Sequence, residues 1–131
     1  MDIKVTFDGN KKVNAQVGKH IVCTDQPVNG GGDDSAPSPF ELFLASMATC
    51  AGIFVKGFCD NRGLSTEGIS ITQKHEFDEK GLASKIEIIV NLPKDFPEKY
   101  IDSVIHVANL CKVKKQLLAV PEMSTIAKIN D

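Results

Sequence analysis

Residues 38–63 read SPFELFLASMATCAGIFVKGFCDNRG, and this stretch predicts the central element of the fold. Ser38 suits the N-cap of a helix, Pro39 suits its first position, and Glu41 suits the third, where its carboxylate can accept from the Ser38 N–H. Apolar side chains then surround most of the helix axis, so we expect other structure to enclose the helix. Its predicted end lies near Gly63.

Four polar residues, Glu41, Ser46, Thr49 and Lys56, interrupt the apolar part of this helix. A membrane span needs about 20 predominantly apolar residues, so we interpret the stretch as a buried helix and predict no membrane partner. The first seven residues, MDIKVTF, lack the apolar run and the cleavage site of a secretory signal. The protein is therefore expected to be soluble and cytoplasmic.

Outward from this helix, apolar and polar residues alternate as they do in half-buried strands. Residues 27–39 are rich in Gly, Asp, Ser and Pro and are predicted to be a flexible connector. The order β-β-β-α-β-β-α-α-β predicts a single α+β domain. The predicted elements are strands over 3–7, 13–17 and 21–23, the long helix, strands over 69–77 and 86–90, a helix that begins near residues 95–98 and continues to 111, a short helix over 112–120, and a strand over 123–129.

The composition argues against a nucleic-acid partner. The chain has 131 residues, with 15 Lys and Arg against 17 Asp and Glu, and a formal net charge of −2. A nucleic-acid-binding protein usually shows a basic surplus or a basic face. Aromatic residues make up 6% of the chain and Trp is absent, which also argues against a surface on which bases stack.

Cysteine is the nucleophile that the sequence offers, at positions 23, 50, 59 and 111. Cys50 lies in the middle of the helix among small neighbours, where it is either a buried core thiol or a nucleophile that needs a partner to lower its pKa. Cys111 lies between the last two helices and precedes three lysines. A helix N-terminus and ammonium groups would stabilise its thiolate, and an apolar helix face explains it equally well.

The other two cysteines carry weaker signals. Cys59 lies about 180° from Cys50 around the helix, so we interpret it as structural. Cys23 and His20 form an isolated His-x-x-Cys pair, whereas zinc sites usually combine two close pairs. We therefore predict no metal and no cofactor.

Two motifs, residues 39–50 (PFELFLASMATC) and residues 111–117 (CKVKKQL), resemble the two cysteine motifs of the OsmC/Ohr family, named for osmotically inducible protein C and organic hydroperoxide resistance. The likeness is closer to the YhfA-like branch. The resemblance implies a single OsmC-like domain over residues 1–131, in which a long buried central helix packs against antiparallel sheet. It also implies an intertwined homodimer.

The same resemblance implies a thiol-dependent peroxidase that reduces organic hydroperoxides in defence against oxidative stress. Cys50 would be the redox-active cysteine that attacks the peroxide, and Cys111 would resolve the product as a disulfide. A dithiol reductant would then reopen that disulfide. These roles follow from the family motifs and not from the composition or spacing of the chain.

Three positions depart from the pattern of the active peroxidases. Phe40 occupies the place of their catalytic glutamate, Arg62 is the only arginine and follows the helix, and Lys112 stands where a proline is common. Without a fixed guanidinium, we expect burial to raise the pKa of Cys50 and the peroxidase activity to be weak. The alternative is a protein that binds a small apolar ligand in a cysteine-lined pocket, with slow or no catalysis.

Overall fold

The structure is a computed structural model that describes residues 1–130, and Asp131, the last residue of the predicted domain, lies outside the described residues. Antiparallel strands and three α-helices confirm the predicted α+β class. Single turns of 3-10 helix lie at Val28–Gly30 and Glu98–Tyr100. The regular elements are β1 (Ile3–Phe7), β2 (Val13–Val17), β3 (His20–Thr24), α1 (Pro39–Asn61), β4 (Ser70–Phe77), β5 (Ala83–Asn91), α2 (Ile101–Ala108) and α3 (Lys112–Leu118).

The chain forms two compact units, Met1–Ser46 and the residues from Met47 onward, and the boundary between them falls inside α1. In the first unit, β1, β2 and β3 form an antiparallel meander in which Ile3 lies opposite Val17. The three strands confirm the predicted strand positions, but every residue of β1 is exposed, so the alternation of β1 does not produce a half-buried face. The assignment of residues 1–131 to one domain stays a prediction.

In the second unit, β4 and β5 form an antiparallel hairpin in which Ser70 lies opposite Asn91. One face of α1 and one face of α2 pack with this hairpin to form the core. Residues three or four positions apart share a helix face, and the buried residues of both helices have this spacing. The core consists of Ala51, Val55, Phe58, Cys59, Val104 and Ala108, against which Ile71, Ile88 and Val90 of the hairpin pack.

Both predicted ends of α1 are confirmed. The Ser38 N–H donates to Glu41 Oε1 at 3.1 Å, and the Glu41 N–H donates to Ser38 Oγ at 3.3 Å. At the other end, the Leu64 N–H donates to the Cys59 carbonyl at 2.9 Å, and Gly63 has a φ of 64°. Glycine adopts this left-handed conformation without the steric penalty of a Cβ, so local sequence sets the length of the helix.

α1 is buried along one face only, whereas the sequence predicts cover on all sides. Ile53 is 64% exposed, and Phe40 and Phe43 are each 40% exposed. The reason is the small amount of chain available, since the hairpin and α2 cover one side of the helix in the second unit. By length and composition α1 could also cross a membrane, but the core helix of a soluble protein passes the same test.

The strand predicted over residues 123–129 is wrong, because residues 119–130 contain no helix or strand. Met123, Ile126 and Ile129 are each at least 82% exposed. They recur every three residues rather than every two, so they do not define one face of a strand. The preceding helix α3 ends at Leu118, two residues before its predicted end at Val120.

Residues 27–39, predicted to be a flexible connector, instead belong to a hydrogen-bonded loop built around Asp25. The Asp25 carboxylate is 0% exposed. It accepts from the N–H groups of Gln26 (2.8 Å), Asp33 (3.3 Å) and Ser35 (3.1 Å), and from the Ser35 hydroxyl at 2.6 Å. These bonds, led by that of the Ser35 hydroxyl, hold the pKa of Asp25 at about 2.

Candidate functional site

The second unit brings together the two cysteines of the sequence motifs, which are 61 residues apart in the chain. Cys50 is half-buried on α1, one helical turn after Met47. Cys111 is 1% exposed and is the N-cap residue of α3. Its thiol donates to the Met47 carbonyl at 3.7 Å, so the start of α3 lies directly against α1.

Cys50 and Cys111 are in hydrogen-bonding contact with each other, and both thiols are free. The Cys111 sulfur also accepts from the Lys114 N–H at 3.4 Å, which caps the first turn of α3. The single proton of the Cys111 thiol therefore has two acceptors within reach, the Met47 carbonyl and the Cys50 sulfur. This contact places one thiol where it can give a proton to, or form a bond with, the other.

The pKa of Cys50 is lowered, and the largest cause is a hydrogen bond from the backbone N–H of Val113. The thiol of Cys111 and the backbone N–H of Lys112 lower it further, and together they outweigh the burial that raises it. The prediction of a raised pKa at Cys50 is therefore wrong. It considered only the helix that carries Cys50, whereas the stabilising donors lie on the segment that packs against it.

The pKa of Cys111 is raised, mainly because the thiol is buried. The Lys114 N–H lowers the pKa of Cys111, and contact with Cys50 raises it. Of the two interpretations that the sequence leaves open for Cys111, the thiolate stabilised by a helix N-terminus identifies a real donor, but burial outweighs that donor because it disfavours a charged sulfur. Of the two thiols, Cys50 ionises first and Cys111 stays protonated beside it.

No cation contributes to the lowered pKa of Cys50, whose stabilising contacts are all hydrogen bonds. The Lys114 ammonium donates to Asn109 Oδ1 at 2.9 Å. Arg62 follows Cys50 by 12 residues, about 18 Å along a helix, and its guanidinium stacks on the Phe58 ring at 3.7 Å. Arg62 therefore packs at the end of α1 and does not contribute to the pKa of Cys50.

Glu41 and Phe40 both make contacts within the first turns of α1. The Ser38 N–H and hydroxyl lower the pKa of Glu41, in keeping with its role in the capping box. Phe40 stacks on Phe43 with 6.0 Å between ring centroids. The position that a catalytic glutamate would occupy therefore carries an aromatic ring packed on its own helix.

A cavity of about 650 Å³ lies beside the thiol pair, between β5, α2 and α3. Its wall is mostly apolar, with Ile88, Ile105 and Leu117 among its residues, and it reaches Cys111 and Lys114. Volumes of about 300–1,000 Å³ are typical of pockets for small molecules. Cys50 does not line this cavity, so the thiol that an apolar guest would contact is Cys111.

The remaining cysteines lie apart from this pair. Cys59 is buried in the core and its pKa is raised by that burial, which agrees with its interpretation as structural. Cys23 is an exposed residue of β3. Across residues 1–130, no group of three or more His, Cys, Asp or Glu side chains is placed to hold a metal ion.

Two features of these sites were missed in the sequence. The backbone donors of Lys112 and Val113 carry no signal in the sequence, because every residue except proline has an N–H. Asp25 had a weak signal, since an acidic residue directly before a loop rich in Gly, Asp and Ser can accept from the loop amides. Its burial depends on how that loop closes.

Comparison with solved structures shows the same fold in proteins of low sequence identity. A proposed osmotic-stress-induced and detoxification response protein from Psychrobacter arcticus has a TM-score of 0.73 at 21% identity, with 87% of this chain and 85% of that chain covered. An organic hydroperoxide resistance protein OsmC from Legionella pneumophila has a TM-score of 0.54 at 18% identity, with 90% and 88% covered.

The organic hydroperoxide resistance protein OhrB of Bacillus subtilis has a TM-score of 0.51 at 19% identity, with 91% of this chain and 92% of that chain covered. At these identities the likeness shows the fold alone. A search of curated proteins by sequence finds no significant match. The closer likeness to the YhfA-like branch stays a prediction. The sequence model of a family described as OsmC-like protein matches residues 31–125, and the chain therefore belongs to the OsmC-like family.

Proposed function

We propose that the protein is a thiol-dependent peroxidase that reduces organic hydroperoxides as part of defence against oxidative stress. The observation that carries this proposal is the pairing of Cys50, whose pKa is lowered, with Cys111, whose pKa is raised. A nucleophilic thiolate next to a protonated thiol is the arrangement that peroxide reduction through a disulfide requires. Two proteins of the same fold are named for organic hydroperoxide resistance, which supports the choice of substrate.

The proposed reaction begins with attack of the Cys50 thiolate on the outer oxygen of the hydroperoxide. The O–O bond breaks, Cys50 becomes a sulfenic acid, and the leaving alkoxide takes a proton to form an alcohol. The Cys111 thiol, which contacts Cys50, is a suitable source of that proton. The resulting Cys111 thiolate then attacks the Cys50 sulfur, and the hydroxyl group leaves as water when a second proton arrives.

An external dithiol closes the cycle by thiol–disulfide exchange with the Cys50–Cys111 disulfide. Two protein thiols are restored and the dithiol is oxidised to its own disulfide. We propose the cytoplasm as the location because its reducing conditions would keep all four cysteines free between turnovers.

Hydroperoxide consumption tests the proposal directly. With cumene hydroperoxide and dithiothreitol, the native protein is expected to turn over, and Cys50→Ser is expected to reduce the rate to background. Cys23→Ser is the matched control, because Cys23 is exposed and lies outside the pair. Turnover that persists in Cys50→Ser would exclude Cys50 as the nucleophile.

A single-turnover experiment without reductant tests the resolving role. The native protein is expected to consume one equivalent of hydroperoxide and to form a Cys50–Cys111 disulfide, visible by peptide mass spectrometry. Cys111→Ser is expected to consume one equivalent and to leave Cys50 as a sulfenic acid that dimedone traps. A disulfide from Cys50 to Cys23 or Cys59 would assign the resolving role elsewhere.

A second candidate function is the binding of a small apolar ligand with slow or no turnover. The observation that favours it is the cavity of about 650 Å³, whose apolar wall includes Cys111 but not Cys50. A fluorescent apolar probe such as 1-anilinonaphthalene-8-sulfonate would be displaced by the ligand. Binding together with no hydroperoxide consumption above the Cys50→Ser background would favour this function over the peroxidase.

We also propose that the working protein is a homodimer. The carrying observation is the apolar surface that α1 leaves exposed, with Ile53 as its most exposed large residue. An obligate dimer interface of about 2,000 Å² or more would cover such a surface. Sedimentation at micromolar concentration is expected to show a dimer for the native protein and a monomer for Ile53→Glu. A native monomer would contradict this proposal.

A further inference from the structure

One stripe of side chains along α1 carries none of the buried core residues and follows the spacing of a coiled-coil seam. Its members recur at alternating steps of three and four positions, which keeps them on one side of a helix. Ile53 is 64% exposed on this stripe, and Cys50 and Gly57 beside it are half-buried. The pattern is typical of a helix that packs along a second helix. The stripe consists of Phe43, Ser46, Cys50, Ile53, Gly57 and Asp60.

The stripe is complementary to itself when two copies of α1 lie antiparallel. A two-fold axis that crosses it midway between Cys50 and Ile53 places each of these residues opposite the other, as an interface between identical copies requires. The same axis places Gly57 opposite Ser46, and two small facing residues allow helix backbones to approach closely. Each of these contacts occurs twice in such a pair.

The second unit leaves room for another helix beside this stripe. A Cβ built on Gly57 would meet no atom of residues 1–130 within 4 Å, apart from its chain neighbours and the backbone of its own helix. A cavity of about 670 Å³ opens beside this glycine, between α1 and α2, with Ile53 and Val107 in its wall. The side of α1 that carries Gly57 is therefore open along a groove.

The chain also exposes more surface than its two units need. Two separate folded units of these sizes would expose about 8,100 Å² in total. The chain exposes 10193 Å², and exposed apolar residues of α1 and of residues 119–130 contribute to the excess of about 2,000 Å². Two copies together contribute twice this excess, which lies within the ~2,000–5,000 Å² that obligate dimer interfaces bury. A second copy of the chain therefore has the right size to cover it.

We propose that α1 packs antiparallel against α1 of a second copy, in the register that places Ile53 of one copy against Cys50 of the other. This register rests on the proposed homodimer, whereas the exposed stripe and the open groove do not. Each Cys50 then meets the second copy on the side that its own chain leaves open. The candidate site is therefore complete only in the dimer.

A disulfide between two different copies tests the register. In co-expressed chains, one copy keeps Cys50 and the other carries Cys50→Ala and Ile53→Cys, so a bond within one helix is excluded. Both copies carry Cys23→Ser and Cys111→Ser, and Cys59 is buried. Facing Cα atoms of helices packed about 8–10 Å apart come within the ~4.4–6.8 Å that a disulfide spans.

On oxidation with diamide, mixed dimers are expected to form a disulfide between Cys50 and position 53. The expected rate is at least about tenfold that of the matched control, because facing thiols are held within bonding reach. In the control, Lys56→Cys takes the place of Ile53→Cys, at an exposed position of α1 outside the stripe. Peptide mass spectrometry identifies the linked positions.

Sedimentation of the native protein separates the register from the homodimer. A native dimer that gives no such disulfide, or equal rates from positions 53 and 56, would overturn the register and leave the homodimer standing. A native monomer would overturn both. If Ile53→Cys itself prevents dimer formation, Ser46→Cys in one copy and Gly57→Cys in the other, with Cys50→Ala in both, must form the disulfide, and its absence would overturn the register. None of these outcomes depends on hydroperoxide turnover.

Discussion

The loop around Asp25 and the thiol pair around Cys50 use the same physical device in two different units of the chain. In both, backbone N–H groups point at one side chain and favour its negative charge. Asp25 accepts from three N–H groups and a hydroxyl. Cys50 accepts from two N–H groups and a thiol.

The two regions differ in how accessible the charged atom is. Asp25 is 0% exposed and has a pKa of about 2, so it is charged at any physiological pH and its oxygens are fully engaged. Cys50 is half-buried, and burial opposes its ionisation. Inward-pointing amides therefore close a loop around the enclosed carboxylate of Asp25, whereas at half-buried Cys50 they favour the thiolate that the proposed peroxidase reaction needs.

Replacing the acceptor side chain, Asp25 or Cys50, should have the largest effect. At Asp25 the replacement should lower the stability of the fold, and at Cys50 it should lower the reactivity with hydroperoxide. Asp25→Ala leaves three N–H groups without their acceptor in a partly buried site, and donors left unpaired where water has limited access are costly. We expect Tm to fall by about 10 °C or more. Cys50→Ala should leave Tm nearly unchanged, as differential scanning calorimetry would show.

Asp33→Ala is the control for the loop. Asp33 donates its backbone N–H to Asp25, which alanine keeps, and its side chain forms an exposed ion pair with Lys12 at 3.7 Å. Exposed ion pairs contribute about 0–1 kcal/mol, so Tm should change by less than about 5 °C. Equal effects of Asp25→Ala and Asp33→Ala would show that the loop does not depend on its buried carboxylate.

The close packing of the Asp25 loop gives the second test. A Cβ on Gly32 would lie 2.0 Å from the Gln26 carbonyl oxygen and 2.8 Å from Asp25 Oδ1. Because backbone must move to make room, we expect Gly32→Ala to lower Tm by about 4–10 °C.

Gly57→Ala is the matched control for Gly32→Ala. Gly57 lies inside α1, and a Cβ there would meet no atom within 4 Å apart from its chain neighbours and the backbone of its own helix. Alanine stabilises a helix interior by about 1 kcal/mol relative to glycine, so Tm should rise by a few degrees. A rise in both variants would contradict the tight closure of the loop.

The two regions should also respond at opposite ends of the pH scale. The pKa of Asp25 is lowered from 3.8 to about 2. The charged carboxylate therefore stabilises the folded state fully above about pH 4, and this stabilisation is lost as the pH falls towards 2. The difference in free energy of unfolding between the native protein and Asp25→Ala should therefore shrink over that range. Urea unfolding at several pH values measures it.

For Cys50 the corresponding stabilisation lies in the alkaline range. Its lowered pKa, against an ordinary value of 9.0, makes the folded state more favourable as the pH rises towards 9. The native protein should gain stability over Cys50→Ala in this range and not at pH 2–4. A gain confined to acid conditions would contradict the lowered pKa of Cys50.

The smallest expected effect comes from the neighbouring thiol. Cys111→Ala removes one of the three donors to Cys50 and leaves the backbone donors, of which Val113 is the strongest. We expect alkylation of Cys50 at neutral pH to slow by about twofold to threefold. Cys23→Ser should have no effect, and faster alkylation in Cys111→Ala would show that the Cys111 thiol opposes the thiolate.

Much of the fold could be predicted because its signals are local. The capping residues Ser38 and Glu41 and the stop at Gly63 defined α1, and alternation defined the strands of both sheets. The predicted strand over 123–129 failed because no local signal shows whether a partner strand exists. The loop over 27–39 looked flexible because Gly, Ser and Pro favour turns whether or not a buried acceptor closes them.

For the candidate site, the sequence predicted which two cysteines form it but not how each thiol ionises. The motifs identify Cys50 and Cys111, but the pKa direction predicted for Cys50 differs from that in the structure, and the sequence left two interpretations of Cys111 open. A residue's pKa depends on its burial and on the donors around it, and these come from segments distant in the chain. The N–H groups that favour the Cys50 thiolate belong to residues more than 60 positions away.

The sequence by itself determined the α+β class, the limits of the central helix and the identity of the two thiols. These depend on side-chain size, polarity and capping within a few residues. Only the tertiary structure decided that Cys50 ionises before Cys111 and that Asp25 closes the loop before α1. Both outcomes depend on where peptide N–H groups point, and nearly every residue has this group, so its direction becomes known only when the backbone is folded.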